Sequence, residues 1–126
     1  VSNALRGRTL VAHNAPFDTR FLSREYRRAG RPIPAPLLRP LCTLELASRL
    51  SMAPLRLSEV ARALGSPQPG TAHRAADDAV ATAQLLAPLL NRAGIAQASE
   101  LPLVDGSAPR FASLRSSRPA GRRSAI

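Results

Sequence analysis

We predict that this chain forms a small α/β domain that is mostly helical and has one or two short strands. The apolar residues 10–12 follow Thr9 and end in the turn residues Asn14 and Pro16, as expected at the end of a strand. Several later segments carry apolar residues at helical spacing. With 126 residues, 44% of them hydrophobic, the chain can build one small core.

The N-terminal part predicts a strand, a helix and a connector. Residues 8–13 form the strand. A helix over residues 17–29 follows, because Gly30 ends a set of apolar residues at helical spacing: Phe17, Phe21, Leu22 and Tyr26. Residues 31–40 contain four prolines and therefore form a connector. A short extended piece at residues 37–41 is expected next, at a sheet edge or a strand end because of Pro40.

The rest of the chain predicts three helices. Residues 43–50 form the first, whose buried face consists of Leu44, Ala47 and Leu50. Residues 58–65 form the second, with Ser58 as N-cap and Gly65 at its end. Residues 75–93 form the longest helix, which Gly94 ends and Pro88 should kink.

Charge and composition indicate a polyanionic partner and a separate tail. All 18 basic residues are arginines, against 8 acidic residues, which gives a net charge of +10. Arginine binds two phosphate oxygens at once, so nucleic acid is the favoured partner. Five of the arginines lie beyond residue 106, in a stretch rich in Ser, Pro and Ala. We therefore predict a domain over residues 1–105 and a disordered basic tail over residues 106–126.

Cysteine content and hydropathy bear on the compartment. A single cysteine, Cys42, can form neither an internal disulfide nor a cysteine-based metal site, which favours a reducing compartment. No segment has the length and apolarity of a membrane span, and the first residues lack the layout of a signal peptide. We expect a cytoplasmic protein with no membrane partner.

The segment "HNAPFD", residues 13–18, places a carboxylate just beyond the predicted strand. Open α/β sheets bind ligands in the crevice at such strand ends, so Asp18 is a candidate ligand-binding residue. On this segment alone the favoured interpretation is that Asp18 caps the next helix, because acidic residues are common in first turns.

The segment "HRAADDA", residues 73–79, is the second candidate. His73 and Asp78 would lie about 140° apart on one helix, so they can converge only if His73 stands off the helix start. Asp77 and Asp78 point about 100° apart, so only one of them can face a given site. The alternative is a solvated acidic first turn with an incidental histidine.

Together, "HNAPFD" and "HRAADDA" resemble the second and third motifs of the DEDDh family of 3′-to-5′ exonucleases, which includes the proofreading epsilon subunit of bacterial DNA polymerase III. The intervening "CTLELASRL" and "LSEVARALG" also fit, and the resemblance covers residues 5–93. It implies a ribonuclease H-like exonuclease fold whose N-terminal strands and first motif are missing here.

The resemblance also implies a catalytic arrangement. Asp18 and Asp78 would bind two divalent cations, Mg²⁺ or Mn²⁺, and His73 would be the general base that takes a proton from the attacking water. The substrate would be nucleic acid with a single-stranded 3′ end, and DNA polymerase subunits are a further candidate partner. Asp77 would lie behind the site or at the surface.

Three further residues of "HNAPFD" are candidate substrate-binding residues by the same resemblance. His13 and Asn14 would position the strand end or contact substrate. Phe17 would either stack on a base or pack in the core, and core packing is the favoured interpretation.

The family's first motif, Asp-x-Glu, does not occur in these 126 residues. We expect the chain to be the C-terminal part of a catalytic domain and inactive by itself, because two carboxylates leave two divalent cations with a formal surplus of about +2. Two alternatives stay open: a non-catalytic module that binds nucleic acid or a polymerase, and a degenerate gene fragment without function.

Overall fold

The computed structural model describes residues 1–70 and 74–107. As predicted, the described part is mostly helical, and its strands form a two-stranded parallel sheet. The elements in chain order are α1 (Ser2–Leu5), β1 (Val11–Ala12), α2 (Ala15–Arg28), α3 (Ala35–Leu38), β2 (Leu41–Cys42), α4 (Thr43–Arg49), α5 (Leu57–Ala63), α6 (Ala75–Ala93) and a 3₁₀ turn (Ala98–Glu100).

The sheet is shorter than the sequence predicts. Strand β1 pairs with β2 in parallel, with Val11 opposite Leu41 and Ala12 opposite Cys42. The extended piece predicted at residues 37–41 is wrong in its first half, because residues 35–38 form a helical turn and the strand begins after Pro40. Proline cannot donate to the strand ladder, so its place directly before the strand fits its chemistry.

Helix α2 begins two residues earlier than predicted. Asn14 is its N-cap and has the left-handed conformation, with φ of 72°, which asparagine adopts more readily than most residues. Asp18 is not the N-cap residue, although it does lie in the first turn, where an acidic side chain is expected for a helix. Asp18 is the fourth residue of the helix, and the N-cap position has no side-chain hydrogen bond.

The predicted apolar face of α2 is only partly buried. Tyr26 is buried in a small cluster with Leu5 and Leu37, and Leu22 packs against this cluster. Phe17 and Phe21, in contrast, are 63% and 61% exposed. The prediction that Phe17 packs in the core is therefore wrong, because among the described residues no element covers this side of the helix.

The main core lies between α4, α5 and α6, and its buried residues are Leu46, Ala47, Met52, Val60, Ala61, Leu85 and Leu89. Helix α4 is rotated relative to the prediction. Glu45 and Leu46 are buried with Ala47, whereas Leu44 and Leu50 are half-buried. The helix follows β2 without a loop, and its first residue, Thr43, is fully buried, which fixes the rotation.

Two helix boundaries test the predicted caps. Helix α5 begins at Leu57 with Arg56 as N-cap, so the assignment of Ser58 as N-cap is wrong. Leu57 is the first residue of the helix and packs against the main core. Helix α6 ends at Gly94, which has φ of 71°, as predicted, and Pro88 lies inside it. None of the helices in the described ranges is long and apolar enough to span a membrane.

The segment after the 3₁₀ turn packs back onto the N-terminal half. Val104 donates its N–H to the Pro40 carbonyl and Gly106 donates to the Leu38 carbonyl, both at 2.9 Å. The Thr19 hydroxyl, which is buried in α2, donates to the Gly106 carbonyl at 2.6 Å. The packed chain thus includes Gly106, which the composition assigned to the tail. Residues 108–126 of the predicted tail lie outside the described residues.

We expect Gly106→Ala to destabilise the fold by roughly 1–3 kcal/mol, as other insertions of atoms into packed sites do. A Cβ atom on Gly106 would collide with the Leu37 carbonyl oxygen, which belongs to the backbone and cannot rotate away. The measurement is the midpoint of thermal unfolding, followed by circular dichroism.

Gly70→Ala is the matched control. Its Cβ would meet the Asp77 side chain at 3.5 Å, an ordinary contact, so this variant should unfold close to the wild-type temperature. Equal unfolding midpoints for the two variants would contradict the packing role of Gly106.

Candidate active site

The parallel register places His13 and Thr43 side by side. His13 follows β1 and Thr43 follows β2, at the same edge of the sheet. His13 Nδ1 lies 2.9 Å from Thr43 Oγ1, and Nε2 lies 2.6 Å from the Leu55 carbonyl oxygen. A carbonyl only accepts hydrogen bonds, so Nε2 carries a proton. In the neutral ring Nδ1 then accepts a hydrogen bond from the Thr43 hydroxyl.

The surroundings of His13 favour this neutral form. Burial lowers the pKa of His13, although the hydrogen bond to Leu55 and the negative charge of Asp78 act in the opposite direction. Both ring nitrogens form hydrogen bonds within the chain. Of the two roles that the sequence leaves open for His13, positioning the strand end and contacting substrate, these bonds favour positioning. Through these hydrogen bonds the ring connects the end of β1 with Thr43 in α4 and with Leu55 in the loop before α5. A contact between His13 and substrate stays a prediction.

Two cavities meet beside His13. The smaller, of about 430 Å³, is lined by Ala12, His13, Phe17, Asp18, Leu57, Ala75, Asp78, Ala79 and Thr82. The larger, of about 1070 Å³, shares His13, Phe17, Leu57 and Asp78 with it and extends along residues 54–58. We call the two together the carboxylate cleft. Phe17, although wrongly predicted as a core residue, lines both of its cavities.

Asp18 and Asp78 enter the smaller cavity from different helices. Asp18 lies in the first turn of α2 and Asp78 in the first turn of α6, so the fold brings together two carboxylates that are far apart in the chain. Burial raises the pKa of Asp18, an effect that its own backbone N–H partly offsets. A half-buried carboxylate of this kind is stabilised in its charged form by a nearby cation.

Asp77 faces elsewhere. It is absent from the described residues that line the two cavities, and its carboxyl group lies next to Gly70. This direction agrees with the rotation of about 100° between adjacent helical residues. Asp77 therefore lies beside the cleft and not in it.

Asn14 and His73 are the remaining candidate residues. Asn14 lines the larger cavity, and its carbonyl accepts a hydrogen bond from the Phe17 N–H at 3.0 Å. Its contact with substrate stays a prediction. His73 lies in residues 71–73, outside the described residues, and precedes α6, which begins at Ala75. Its role as general base likewise stays a prediction.

The smaller cavity contains two side chains of a type that binds divalent cations. Aspartate oxygens are ligands of the kind that Mg²⁺ and Mn²⁺ prefer, and two of them line the smaller cavity. No group of three or more His, Cys, Asp or Glu within residues 1–70 and 74–107 is arranged to hold a metal ion. Asp18 and Asp78 therefore fit a divalent cation as two ligands of a larger set.

The sequence interpretation missed the wall formed by residues 54–58 and the role of Thr43. The Leu55 carbonyl that binds His13 has no signature in the sequence, because any residue provides a backbone carbonyl. Thr43 could have been noticed, since it is a polar residue directly after an apolar pair, in a position equivalent to that of His13.

We expect thermal stability to fall as the pH falls from 7.5 to 5, and part of this loss to come from His13. An unfolded histidine binds a proton near its ordinary pKa of about 6.5, whereas burial lowers the pKa of His13 in the folded state. Below a pH of about 6.5 the unfolded state therefore binds more protons than the folded state. The contribution of His13 to the free energy of unfolding is present above this pH and is lost as the pH falls below it. His13→Gln should reduce the loss, measured with EDTA present.

His73→Gln is the control, since His73 is the other histidine of the chain and this variant retains His13. It should keep the wild-type loss of stability. If His13→Gln lost as much stability between the two pH values as the wild type, the lowered pKa of the half-buried His13 would be refuted.

The chain is similar in sequence to known nucleases. The sequence model of the exonuclease family, a family of nucleases, matches residues 1–86, which include His13, Asp18 and Asp78. A Mycobacterium tuberculosis protein that carries the name bifunctional exonuclease/endonuclease is 44% identical over 89 residues, which are 68% of this chain and 13% of that protein. No solved structure matches the chain. With more than half of its residues matched by the family model, the chain belongs to the exonuclease family.

Proposed function

We propose that this chain carries part of a metal-dependent 3′-to-5′ exonuclease site that acts on single-stranded ends of nucleic acid. The observation that supports this proposal most strongly is that Asp18 and Asp78, from the two motifs, line one cavity. The family match supports a nuclease, and the resemblance to the DEDDh exonucleases supports the 3′-to-5′ direction.

The candidate catalytic and metal-binding residues have different proposed roles. Asp18 and Asp78 would hold divalent cations, Mg²⁺ or Mn²⁺, which when bound stabilise negative charge on the attacking and leaving oxygens. His73 would take the proton of the attacking water, because the histidine pKa lies near working pH. His13 would hold the edge of the cleft in place through Thr43 and Leu55.

Two residues at the mouth of the cleft would contact substrate. Phe17 presents an exposed ring beside Asp18, and such rings stack on nucleobases without regard to sequence. Asn14 would contact the strand end in the larger cavity.

The proposed site needs further carboxylates. Asp18 and Asp78 provide two negative charges against the four positive charges of two divalent cations, and the Asp-x-Glu motif of the DEDDh family provides two more. The chain spans 13% of the length of its Mycobacterium tuberculosis relative, so the activity of a whole protein is itself a proposal. An association with DNA polymerase subunits rests on the resemblance alone.

A second candidate function is binding of nucleic acid without catalysis. The net charge of +10, which comes from arginines that can bind phosphates, favours it. The two candidates differ in whether supplying the missing carboxylates produces hydrolysis.

We expect the 126-residue chain to release no nucleotides with Mg²⁺ or Mn²⁺, and a form joined to a segment that carries Asp-x-Glu to shorten an oligonucleotide from its 3′ end. The substrate is a single-stranded oligonucleotide labelled at its 5′ end, and its products are resolved by length. Products that shorten from the 5′ end would contradict the proposed direction.

Variants of the joined form separate the proposed roles. Asp78→Ala should lose both metal binding and turnover, because it removes a charged ligand. His73→Ala should keep metal binding and lose turnover by about 10²- to 10⁴-fold, as expected for a general base. Asp77→Ala is the matched control and should have a much smaller effect. Equal damage from Asp77→Ala and Asp78→Ala would overturn the assignment.

A further inference from the structure

The outer face of α2 carries alternating phenylalanines and arginines. Phe17, Arg20, Phe21 and Arg24 are all exposed, and we call them the α2 stripe. Their spacing of three, one and three residues places them within an arc of about 100° on the helix. They therefore form one continuous surface, about 10 Å long at about 1.5 Å per residue.

The two rings of the stripe are unusual in their exposure. Aromatic residues make up 3% of the chain, yet Phe17 and Phe21 are 63% and 61% exposed. Phenylalanine is among the residues most often buried, and neighbouring exposed apolar side chains commonly mark binding surfaces. The exposure of two rings one helical turn apart points to a ligand that stacks on the ring faces.

The arginines of the stripe are available for an anion. Within residues 1–70 and 74–107, neither Arg20 nor Arg24 has an ion-pair partner, whereas Arg28, one turn further along the helix, pairs with Glu25 at 3.3 Å. The guanidinium group binds phosphate through two parallel hydrogen bonds. Phenylalanine rings that alternate with guanidinium groups match a single strand of nucleic acid, in which bases alternate with phosphates.

The position of the stripe links it to the cleft. Phe17 lines both cavities of the carboxylate cleft, next to Asp18, and the other three residues extend from it along α2. A strand whose end occupies the cleft would therefore meet Phe21 and Arg24 further along its length.

We infer that the α2 stripe is a binding track for single-stranded nucleic acid, on which the nucleotides that follow the terminal one are held. The rings stack on bases, and Arg20 and Arg24 bind phosphates. At about 3.4 Å per stacked nucleotide, the stripe accommodates about three nucleotides. This inference rests on the proposed function, because that function places the strand end in the cleft.

The test is binding of a fluorescein-labelled oligothymidylate of eight nucleotides to the full chain, followed by fluorescence anisotropy in EDTA. Phe21→Ala should raise the Kd about fivefold or more, since stacking on an aromatic ring contributes that much per base. Phe21→Leu should have a similar effect, because it keeps apolar volume and removes the aromatic face. Val80→Ala, at an apolar residue of α6 that is 56% exposed, is the control and should leave the Kd unchanged.

The arginines are tested through the salt dependence of the same binding. Arg24→Gln should reduce the slope of log K against log salt concentration by about 0.7, the value for one phosphate contact on a single strand. Arg92→Gln removes another exposed arginine, in the last turn of α6, and should leave the slope unchanged.

A second measurement locates the contact directly. An oligonucleotide with 5-iodouridine at its third position from the 3′ end should cross-link to Phe21 on irradiation, with the attachment site identified by mass spectrometry. Circular dichroism confirms that each variant is folded.

Unchanged binding in both Phe21→Ala and Arg24→Gln, without a cross-link at Phe21, would overturn the inference. So would self-association of the wild type that Phe21→Ala abolishes while oligonucleotide binding persists, since the stripe would then contact protein. The measurements require no hydrolysis, so a failure of the proposed nuclease function would appear separately, in the cleavage assay.

Discussion

The parallel register of β1 and β2 determines where the candidate site residues lie. Since Ala12 lies opposite Cys42, the next residue of each strand, His13 and Thr43, must emerge at the same edge. The hydrogen bond between them then orients the imidazole, and its second nitrogen reaches the Leu55 carbonyl. One strand pair of two residues each thus fixes the start of α2, the start of α4 and one wall of the cleft.

Electrostatics in the cleft is governed by burial and by the shortage of carboxylates. Burial raises the pKa of Asp18 and lowers the pKa of His13, so both groups resist their charged forms. A divalent cation beside Asp18 would reverse this effect for the carboxylate. The same cation would oppose protonation of His13, which is compatible with the neutral ring that its hydrogen bonds require. Among the described residues of the cleft, Asp18 and Asp78 supply two negative charges, which fits the cation site that we propose but does not neutralise two divalent cations.

The sequence predicts what depends on neighbouring residues and fails where distant segments meet. Gly94 ends α6 as expected, because a left-handed residue after a helix is a local requirement. The convergence of Asp18 and Asp78 could be inferred through the resemblance of their motifs. The exposure of Phe17 could not, because helical spacing indicates an apolar face without indicating what covers it. The contact of His13 with Leu55 joins residues 42 positions apart, and a backbone carbonyl leaves no trace in composition.

The bond between Thr19 and Gly106 has a consequence for the order in which the protein is assembled. Its two partners are separated by 87 residues, so it cannot form on the ribosome until nearly all of the described chain has been synthesised. Ordering so long an intervening segment carries a loop-closure cost, and contacts of such separation slow folding. Thr19 is adjacent to Asp18 in the chain. The start of α2 is therefore synthesised early, but its hydrogen bond to Gly106 forms late. The hydrogen bond between Thr19 and Gly106 therefore forms only after Gly106 has left the exit tunnel.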